Sequence, residues 1–130
     1  MSTSARRRIS AVMVAAGLLG GAFAQPTAAS AATTCYGGAV NWTYNGGTKD
    51  IGPYRASPRC RDINLKTNGG QVVACVVFID HTNNCNTHPE PDIFGATWAE
   101  VATDVIDGTR FVVRVFEYGG NTSESGKLAF

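Results

Sequence analysis

The sequence predicts an all-β domain, either a small disulfide-stapled β-sandwich or a barrel, from three observations. Short runs of β-branched and aromatic residues alternate with Gly- and Asn-rich turn signals about every ten residues. No segment combines a helix cap with an apolar stripe at the helical period. Four cysteines follow an apolar amino-terminal stretch, a pattern typical of small exported domains held by disulfide bonds.

Residues 1–31 predict a cleaved secretory signal peptide. Residues 6–8 are all arginine, residues 9–24 are largely apolar, and residues 29–31 supply the small side chains of a cleavage site. The apolar stretch is short and interrupted by glycine, so we expect no stable membrane insertion. The remaining residues, 32–130, are expected to form a single secreted, extracellular domain.

Cleavage of the signal peptide would make the domain slightly acidic. The whole chain has a net charge of +1, and without its three leader arginines it keeps eight basic and ten acidic residues, a net charge of −2. The basic residues are scattered, with a mild concentration only at residues 55–66. Since nucleic-acid binding needs a concentrated basic face, we expect no nucleic-acid partner.

The first half of the domain contains short elements. A strand is expected at residues 39–44, before an Asn-Gly-Gly turn. Residues 49–60 contain two prolines and are expected to form a loop that ends at Cys60. Another strand is expected at residues 62–66, before a second Asn-Gly-Gly turn.

Residues 71–80 form the strongest strand of the sequence. Alternation assigns Val73, Cys75, Val77 and Ile79 to one face and Val72, Ala74, Val76 and Phe78 to the other. Both faces are apolar and β-branched residues dominate, which predicts a buried central strand.

A second long strand is expected at residues 109–118, with Phe111, Val113 and Val115 on its buried face. Asp107-Gly108 precedes it, and Asp-Gly between two β-rich runs indicates a two-residue hairpin. Residues 98–106 are therefore expected to pair with this strand. A last short strand is expected at residues 127–130.

Cys35, Cys60, Cys75 and Cys85 are expected to form two disulfide bonds. Four cysteines allow three pairings, and Cys35–Cys60 with Cys75–Cys85 is favoured because the second pair is local and flanks a turn. A domain of this size has a small core, and each bond would add roughly 3 kcal/mol in the chain-entropy model. The cysteines are therefore interpreted as structural.

Both histidines of the chain lie in the polar segment 80–92. A zinc site there would use His81, Cys85 and His88, but zinc needs a thiolate and Cys85 is expected to be oxidised. Calcium would need a regular acidic loop that this segment does not supply. We therefore expect no metal and no cofactor.

No catalytic residue is predicted either. Ser57, Ser123 and Ser125 lie outside any Gly-x-Ser-x-Gly elbow and have no separate histidine to activate them. The carboxylates are scattered and indicate no facing pair for glycan hydrolysis. The sequence therefore predicts a protein that is not an enzyme.

Two segments predict a contact surface. Residues 49–60 carry Tyr54, Arg55 and Arg59, which are side-chain types enriched at binding hot spots, on a proline-braced loop that loses little entropy on association. An ordinary connecting loop is the alternative. Trp42 shares a strand face with Tyr44 and is either a ligand platform or a core residue.

Several segments resemble the small secreted two-disulfide proteins that are common in Streptomyces and related actinobacteria. They are Cys60-Arg61-Asp62-Ile63-Asn64-Leu65, Val73-Ala74-Cys75-Val76, Cys85-Asn86, Thr97-Trp98-Ala99-Glu100 and Asp107-Gly108-Thr109-Arg110-Phe111. The resemblance covers roughly residues 58–115.

Two better-understood actinobacterial classes share this build. Tendamistat-like amylase inhibitors are two-disulfide β-sandwiches that act through a Trp-Arg-Tyr triplet, of which Trp42-Thr43-Tyr44 matches only the outer members. The chain is also similar in size, export and cysteine count to the adaptor subunits of umbrella toxin particles, which bridge a lectin-like subunit to a large toxin-bearing subunit. That resemblance implies a non-catalytic protein whose role is to be held by others.

The function expected from the sequence is binding of an extracellular protein partner, as an adaptor in a toxin or antagonistic assembly. A secreted inhibitor of an extracellular hydrolase, a protease or an amylase, is the alternative. The expected contact residues are Trp42, Tyr54, Arg55 and Arg59.

Overall fold

The computed structural model describes residues 33–86 and 92–130, and the predicted signal peptide lies outside them. Within these ranges eight strands form two antiparallel four-stranded sheets. They are β1 (Val40–Tyr44), β2 (Lys49–Arg55), β3 (Ile63–Thr67), β4 (Val72–Val77), β5 (Asp92–Phe94), β6 (Ala99–Ala102), β7 (Arg110–Phe116) and β8 (Glu124–Ala129). The all-β prediction is confirmed, and because neither sheet closes on itself the architecture is a sandwich.

The first sheet has the strand order β1-β8-β3-β6, and the second has the order β2-β7-β4-β5. Strands that follow one another in the chain therefore alternate between the layers in most places. The edges of the two sheets are β1, β6, β2 and β5, and three of these strands are interrupted or short. The pairing of β2 with β7 and that of β6 with β3 each contain a register shift, and β5 has only three residues.

The core lies between the sheets and is built from alternate residues of each strand, as the two-residue period of a strand requires. The first sheet contributes Trp42, Tyr44, Ile63, Leu65 and Leu128, and the second contributes Val72, Ala74, Val76, Phe94, Phe111, Val113 and Val115. The predicted buried face of β7 is confirmed. β4 lies between β7 and β5, so the prediction of a central strand is also confirmed.

The outer face of the second sheet is covered by the loop that follows β4. Cys75, Val77 and Val112 form a second buried cluster there, away from the main core, which explains why both faces of β4 are apolar. Asn86 closes the loop because its side-chain oxygen accepts from the Val76 main-chain N–H at 2.8 Å and its main-chain N–H donates to the Val76 carbonyl at 2.8 Å.

One end of the outer face of the first sheet, around Asn64 and Ala129, is covered by the chain that precedes β1. Asn64 and Ala129 are register partners on that face, yet their exposed fractions are only 6% and 0%. A single 3-10 turn at Tyr36–Gly38 brings the Tyr36 ring onto Trp98, next to β6. Since β1 and β6 are opposite edges of this sheet, the segment crosses it.

Both disulfides have the pairing that the sequence favours. Cys35–Cys60 joins the crossing segment to the residues before β3, and Cys75–Cys85 joins β4 to its covering loop, with Cα atoms 4.9 and 5.5 Å apart. Two such bonds indicate an oxidising, non-cytoplasmic environment. Among the described residues, no helix has the length and apolar character needed to cross a bilayer.

Two expectations are wrong. Residues 49–60 do not form a loop throughout, because residues 49–55 are the edge strand β2. An edge strand tolerates a proline, and Pro53 lies inside the register shift between Ile51 and Tyr54. The turn residues 56–60 follow.

The hairpin at Asp107-Gly108 is the second error. β6 pairs with β3 in the first sheet, while β7 lies in the second sheet. A tight turn is present, with Gly108 at φ +86°, but its main chain pairs with Ala56 at the end of β2. An Asp-Gly signal specifies a chain reversal, and it does not specify which strand the reversal will pair with.

Candidate functional site

The structure places the four predicted contact residues in different environments. Trp42 lies in the core with 3% of its surface exposed, so it contributes no contact surface. Tyr54 is half-buried and packs its ring against Phe130, with ring centroids 4.8 Å apart. Arg55 and Arg59 are exposed. Only the two arginines therefore remain as accessible candidates.

Arg59 and Arg55 point to different parts of the molecule. The Arg59 guanidinium lies against Gly38, where an added Cβ would meet its Cζ at 2.9 Å. Arg55 donates from Nη1 to the Gly108 carbonyl at 3.2 Å. Arg55 thus supports the Asp-Gly turn, and this turn carries the most exposed large apolar side chain in the described part of the chain.

That side chain is Ile106, with an exposed fraction of 78%. The turn beneath it is fixed by main-chain hydrogen bonds. Thr109 donates to the Ile106 carbonyl at 3.1 Å, Gly108 donates to the Ala56 carbonyl at 2.7 Å, and Ala56 donates to the Thr109 carbonyl at 2.9 Å. Ile106 is therefore held in a defined position in water.

A shallow groove of about 260 Å³ lies beside Ile106. Its apolar walls come from Phe78, Val105 and Ile106 itself, and His81 and Asp104 lie at its polar side. We call Ile106, this groove and the adjacent Arg55 the Ile106 surface. A projecting apolar side chain beside an apolar groove differs from a solitary exposed residue, which by itself carries no functional meaning.

The charges around the Ile106 surface are largely paired within the molecule. Asp104 pairs with Arg61, and Asp80, in the loop that contributes Phe78 and His81, pairs with Arg110 at 2.8 Å. The partner Asp104 raises the pKa of Arg61 by hydrogen bonding and charge. The carboxylates of Asp104 and Asp80 are therefore each engaged by an arginine of this chain.

A second, more open cavity of about 620 Å³ lies on the outer face of the second sheet. Its central group is Arg114, which donates to both carboxylate oxygens of Asp50 and to the Asn83 carbonyl at 2.9 Å. Hydrogen bonding to Arg114 lowers the pKa of Asp50. Asp50 and Asn83 together engage four of the five guanidinium N–H groups of Arg114, so Arg114 clamps the covering loop onto the second sheet.

The zinc site considered from the sequence would need Cys85 as a thiolate and His88 as a second imidazole. Cys85 is bonded to Cys75, so it supplies no thiolate, and His88 lies outside the described residues. Within residues 33–86 and 92–130 no three His, Cys, Asp or Glu side chains are grouped closely enough to hold a metal ion.

The sequence did not single out Ile106, and it did not single out the aromatic pair formed by the exposed Tyr36 and the half-buried Trp98. Ile106 falls in a segment that alternation assigned to a strand, and its exposure follows from the crossing between sheets. Tyr36 and Trp98 are 62 positions apart in the chain, so only the fold brings their rings to 4.6 Å. The Asp-Gly turn was the available signal for the exposure of Ile106. No local signal indicates the pairing of Tyr36 with Trp98.

Comparison with protein-family models, with curated proteins and with solved structures finds no match for this chain.

Proposed function

We propose that this protein is a secreted, non-catalytic adaptor that holds an extracellular protein partner through the Ile106 surface. The single observation that supports this most is the exposure of Ile106 on a turn whose main chain is already fixed by hydrogen bonds. A partner that covers Ile106 gains apolar burial, and it pays little entropy to order the turn.

The chemistry of the surface suggests what the partner presents. An apolar pocket would accept Ile106, and an apolar side chain would enter the groove between Phe78 and Val105. The exposed Arg55 could receive a carboxylate at the rim while keeping its bond to Gly108. Such a small apolar centre with a charged rim is the usual arrangement of a protein–protein contact.

Secretion, as proposed, accounts for the two disulfide bonds. The two disulfides persist in an oxidising compartment, and residues 1–31 have the composition of a signal peptide. An adaptor in an extracellular toxin or antagonistic assembly would work in that compartment and would be recovered there in complex with its partner.

Affinity purification of a tagged copy from the culture supernatant of the producing organism tests the proposal. The expected result is a co-purifying protein in fixed ratio, which disappears with Ile106→Asp. Ile93→Asp is the matched control, because Ile93 is also an exposed isoleucine (48%) but lies on β5. Recovery of the wild-type protein alone, or equal loss of the partner with both variants, would refute the Ile106 surface as the contact.

Inhibition of an extracellular hydrolase is the second candidate, and one observation favours it. Arg59 is exposed on a short turn that is fixed by Cys60 and by hydrogen bonds from residues 59 and 60 to Ser57, as a reactive-site residue would be. The packing of its guanidinium on Gly38 weighs against insertion into an enzyme pocket.

Inhibition assays against trypsin-like proteases and amylases separate the two functions. An inhibitor would lose its effect with Arg59→Ala and keep it with Ile106→Asp. A wild-type protein that leaves every enzyme in the panel active would remove this candidate.

A further inference from the structure

One outward-facing row of the first sheet places lysines and aromatic rings side by side. Across that sheet Asn41 on β1 lies opposite Lys127 on β8, and Lys127 lies opposite Lys66 on β3. The Lys66 ammonium lies 5.2 Å from the centre of the Trp98 ring, next to β6. We call Tyr36, Lys66, Trp98 and Lys127 the lysine–aromatic surface.

The two lysines form a like-charge pair directly across neighbouring strands. Side chains in this relationship have Cβ atoms about 5 Å apart, and like charges there are destabilising. In the described part of the chain neither lysine belongs to an ion pair. Lys127 instead donates to the Asn41 side-chain oxygen at 3.1 Å. The pair therefore presents positive charge that no carboxylate of the described residues neutralises in an ion pair.

The Tyr36 ring supplies a flat, pre-positioned platform beside this charge. It stacks on Trp98 with centroids 4.6 Å apart and an interplanar angle of 28°, and 51% of the residue is exposed. Since one ring face is covered by Trp98, the exposed area includes the opposite face. The neighbouring Cys35–Cys60 bond fixes the main chain on which Tyr36 is carried.

We propose that the lysine–aromatic surface binds an acidic polysaccharide, with uronate sugars as the chemical class. The C–H face of a pyranose ring carries slight positive charge and stacks on the negative face of an aromatic ring. A carboxylate on the same sugar would receive charge-assisted hydrogen bonds from Lys66 and Lys127. Asn41 adds an exposed amide in the same row.

The polar and aromatic side chains of this face argue for a polysaccharide rather than a peptide. Protein contacts centre on apolar side chains that are buried in pockets, as at the Ile106 surface, whereas this row offers ring faces, ammonium groups and an amide. One carboxylate, Glu100, also faces outward here, opposite Asn64 and one row away from Lys66. The inference does not depend on the Ile106 surface, because it uses other residues.

Binding of the full mature domain to soluble polygalacturonate, by affinity electrophoresis and calorimetry, tests the proposal. Dextran serves as the neutral polysaccharide and poly-glutamate as the acidic peptide. We expect binding to polygalacturonate that weakens as salt is raised, with much weaker binding to both other polymers. Binding of poly-glutamate equal to that of polygalacturonate, or no binding of polygalacturonate, would overturn it.

Variants assign the binding to the surface. Lys66→Gln with Lys127→Gln should weaken it about tenfold, and Tyr36→Ala should weaken it by a similar factor. Glu100→Gln should strengthen it, because a repelling charge is removed. Lys49→Gln, on β2 of the other sheet, is the matched control and should change nothing. Each variant is first checked for a native far-UV spectrum and for a melting temperature well above that of the binding assay, and equal effects of Lys49→Gln and the double variant would contradict the assignment.

Discussion

Arg114 and Asp50 face each other across β7 and β2 and bind through two parallel hydrogen bonds. Nε donates to Oδ1 at 2.7 Å and Nη2 to Oδ2 at 2.9 Å. The same guanidinium also donates to the carbonyl and the side chain of Asn83. One side chain thus connects two strands of the second sheet to the loop that covers them.

We expect Arg114→Lys to destabilise the domain by about 1–2 kcal/mol, because an ammonium cannot reproduce a planar, bidentate arrangement. Urea unfolding at neutral pH would measure the change. Arg55→Lys is the control, since Arg55 is exposed and makes a single bond to a carbonyl, and it should cost less than about 0.5 kcal/mol. Equal costs for the two variants would show that the clamp carries no special stability.

The lowered pKa of Asp50, which is due chiefly to its hydrogen bonds with Arg114, predicts an acid-sensitive contribution to stability. As the pH falls, the unfolded chain takes up the proton first. The contribution is therefore complete above the unfolded pKa of about 3.9 and is lost as the pH falls through the lower folded value. Its size is about 0.5–1 kcal/mol after solvent screening, because 42% of the Asp50 side chain is exposed.

Asp50→Asn tests this pH dependence. The difference in unfolding free energy between wild type and variant should be constant from about pH 5 to 7 and should shrink below about pH 4. Urea titrations across that range give the difference directly. A difference that stays constant down to about pH 2.5 would disprove the coupling.

Gly126 permits the close approach of β8 to β3. A Cβ at this position would lie 1.9 Å from the Lys66 carbonyl oxygen and 2.8 Å from the Thr67 Cα. Both are backbone atoms that cannot rotate away, so Gly126→Ala should destabilise the domain by about 3 kcal/mol or more. Gly69→Ala is the control, because nothing lies within 4 Å of its added Cβ. Thermal unfolding of both variants should separate them clearly.

Asn86 links the two sheets. Its side-chain oxygen accepts from Val76 in β4 at 2.8 Å, and its side-chain nitrogen donates to the Val101 carbonyl in β6 at 3.0 Å. We expect Asn86→Ala to cost about 1–2 kcal/mol, since it leaves the Val76 amide without this acceptor. Amide hydrogen exchange at Val76 should accelerate. Asn84→Ala, in the same loop, should leave that exchange rate unchanged.

Much of the fold could be predicted from the chain because its strongest signals are local. The apolar faces of β4 and the alternation of β7 identified two neighbouring strands of the second sheet. The sheet that each strand joins was not predictable in the same way. Asp107-Gly108 indicated a reversal, but the choice between β6 and the end of β2 as its partner depends on which layer each strand joins.

The candidate surfaces were harder to predict, because exposure is a property of the assembled sandwich. Trp42 is of a residue type common at binding contacts and lies in the core, whereas Ile106 is of a type common in cores and lies in solvent. Alternation assigns a residue to a face of its strand. It does not reveal that a disulfide-anchored segment will cover Asn64 and Ala129 and leave Lys127 exposed and Lys66 only half-buried.

The connection between β6 and β7, which carries Ile106 from the first sheet to the second, also has a mechanical consequence. On one side Val105 donates to the Arg61 carbonyl at 2.9 Å and Asp104 to Asp62 at 2.9 Å, next to the first sheet. On the other side Gly108 and Thr109 pair with Ala56 at the end of the second. A partner pulling on Ile106 would load both layers at once, so the attachment would yield only when hydrogen bonds on both sides break. In the adaptor function proposed above, this two-sided attachment would let the Ile106 surface carry load without detaching from either sheet.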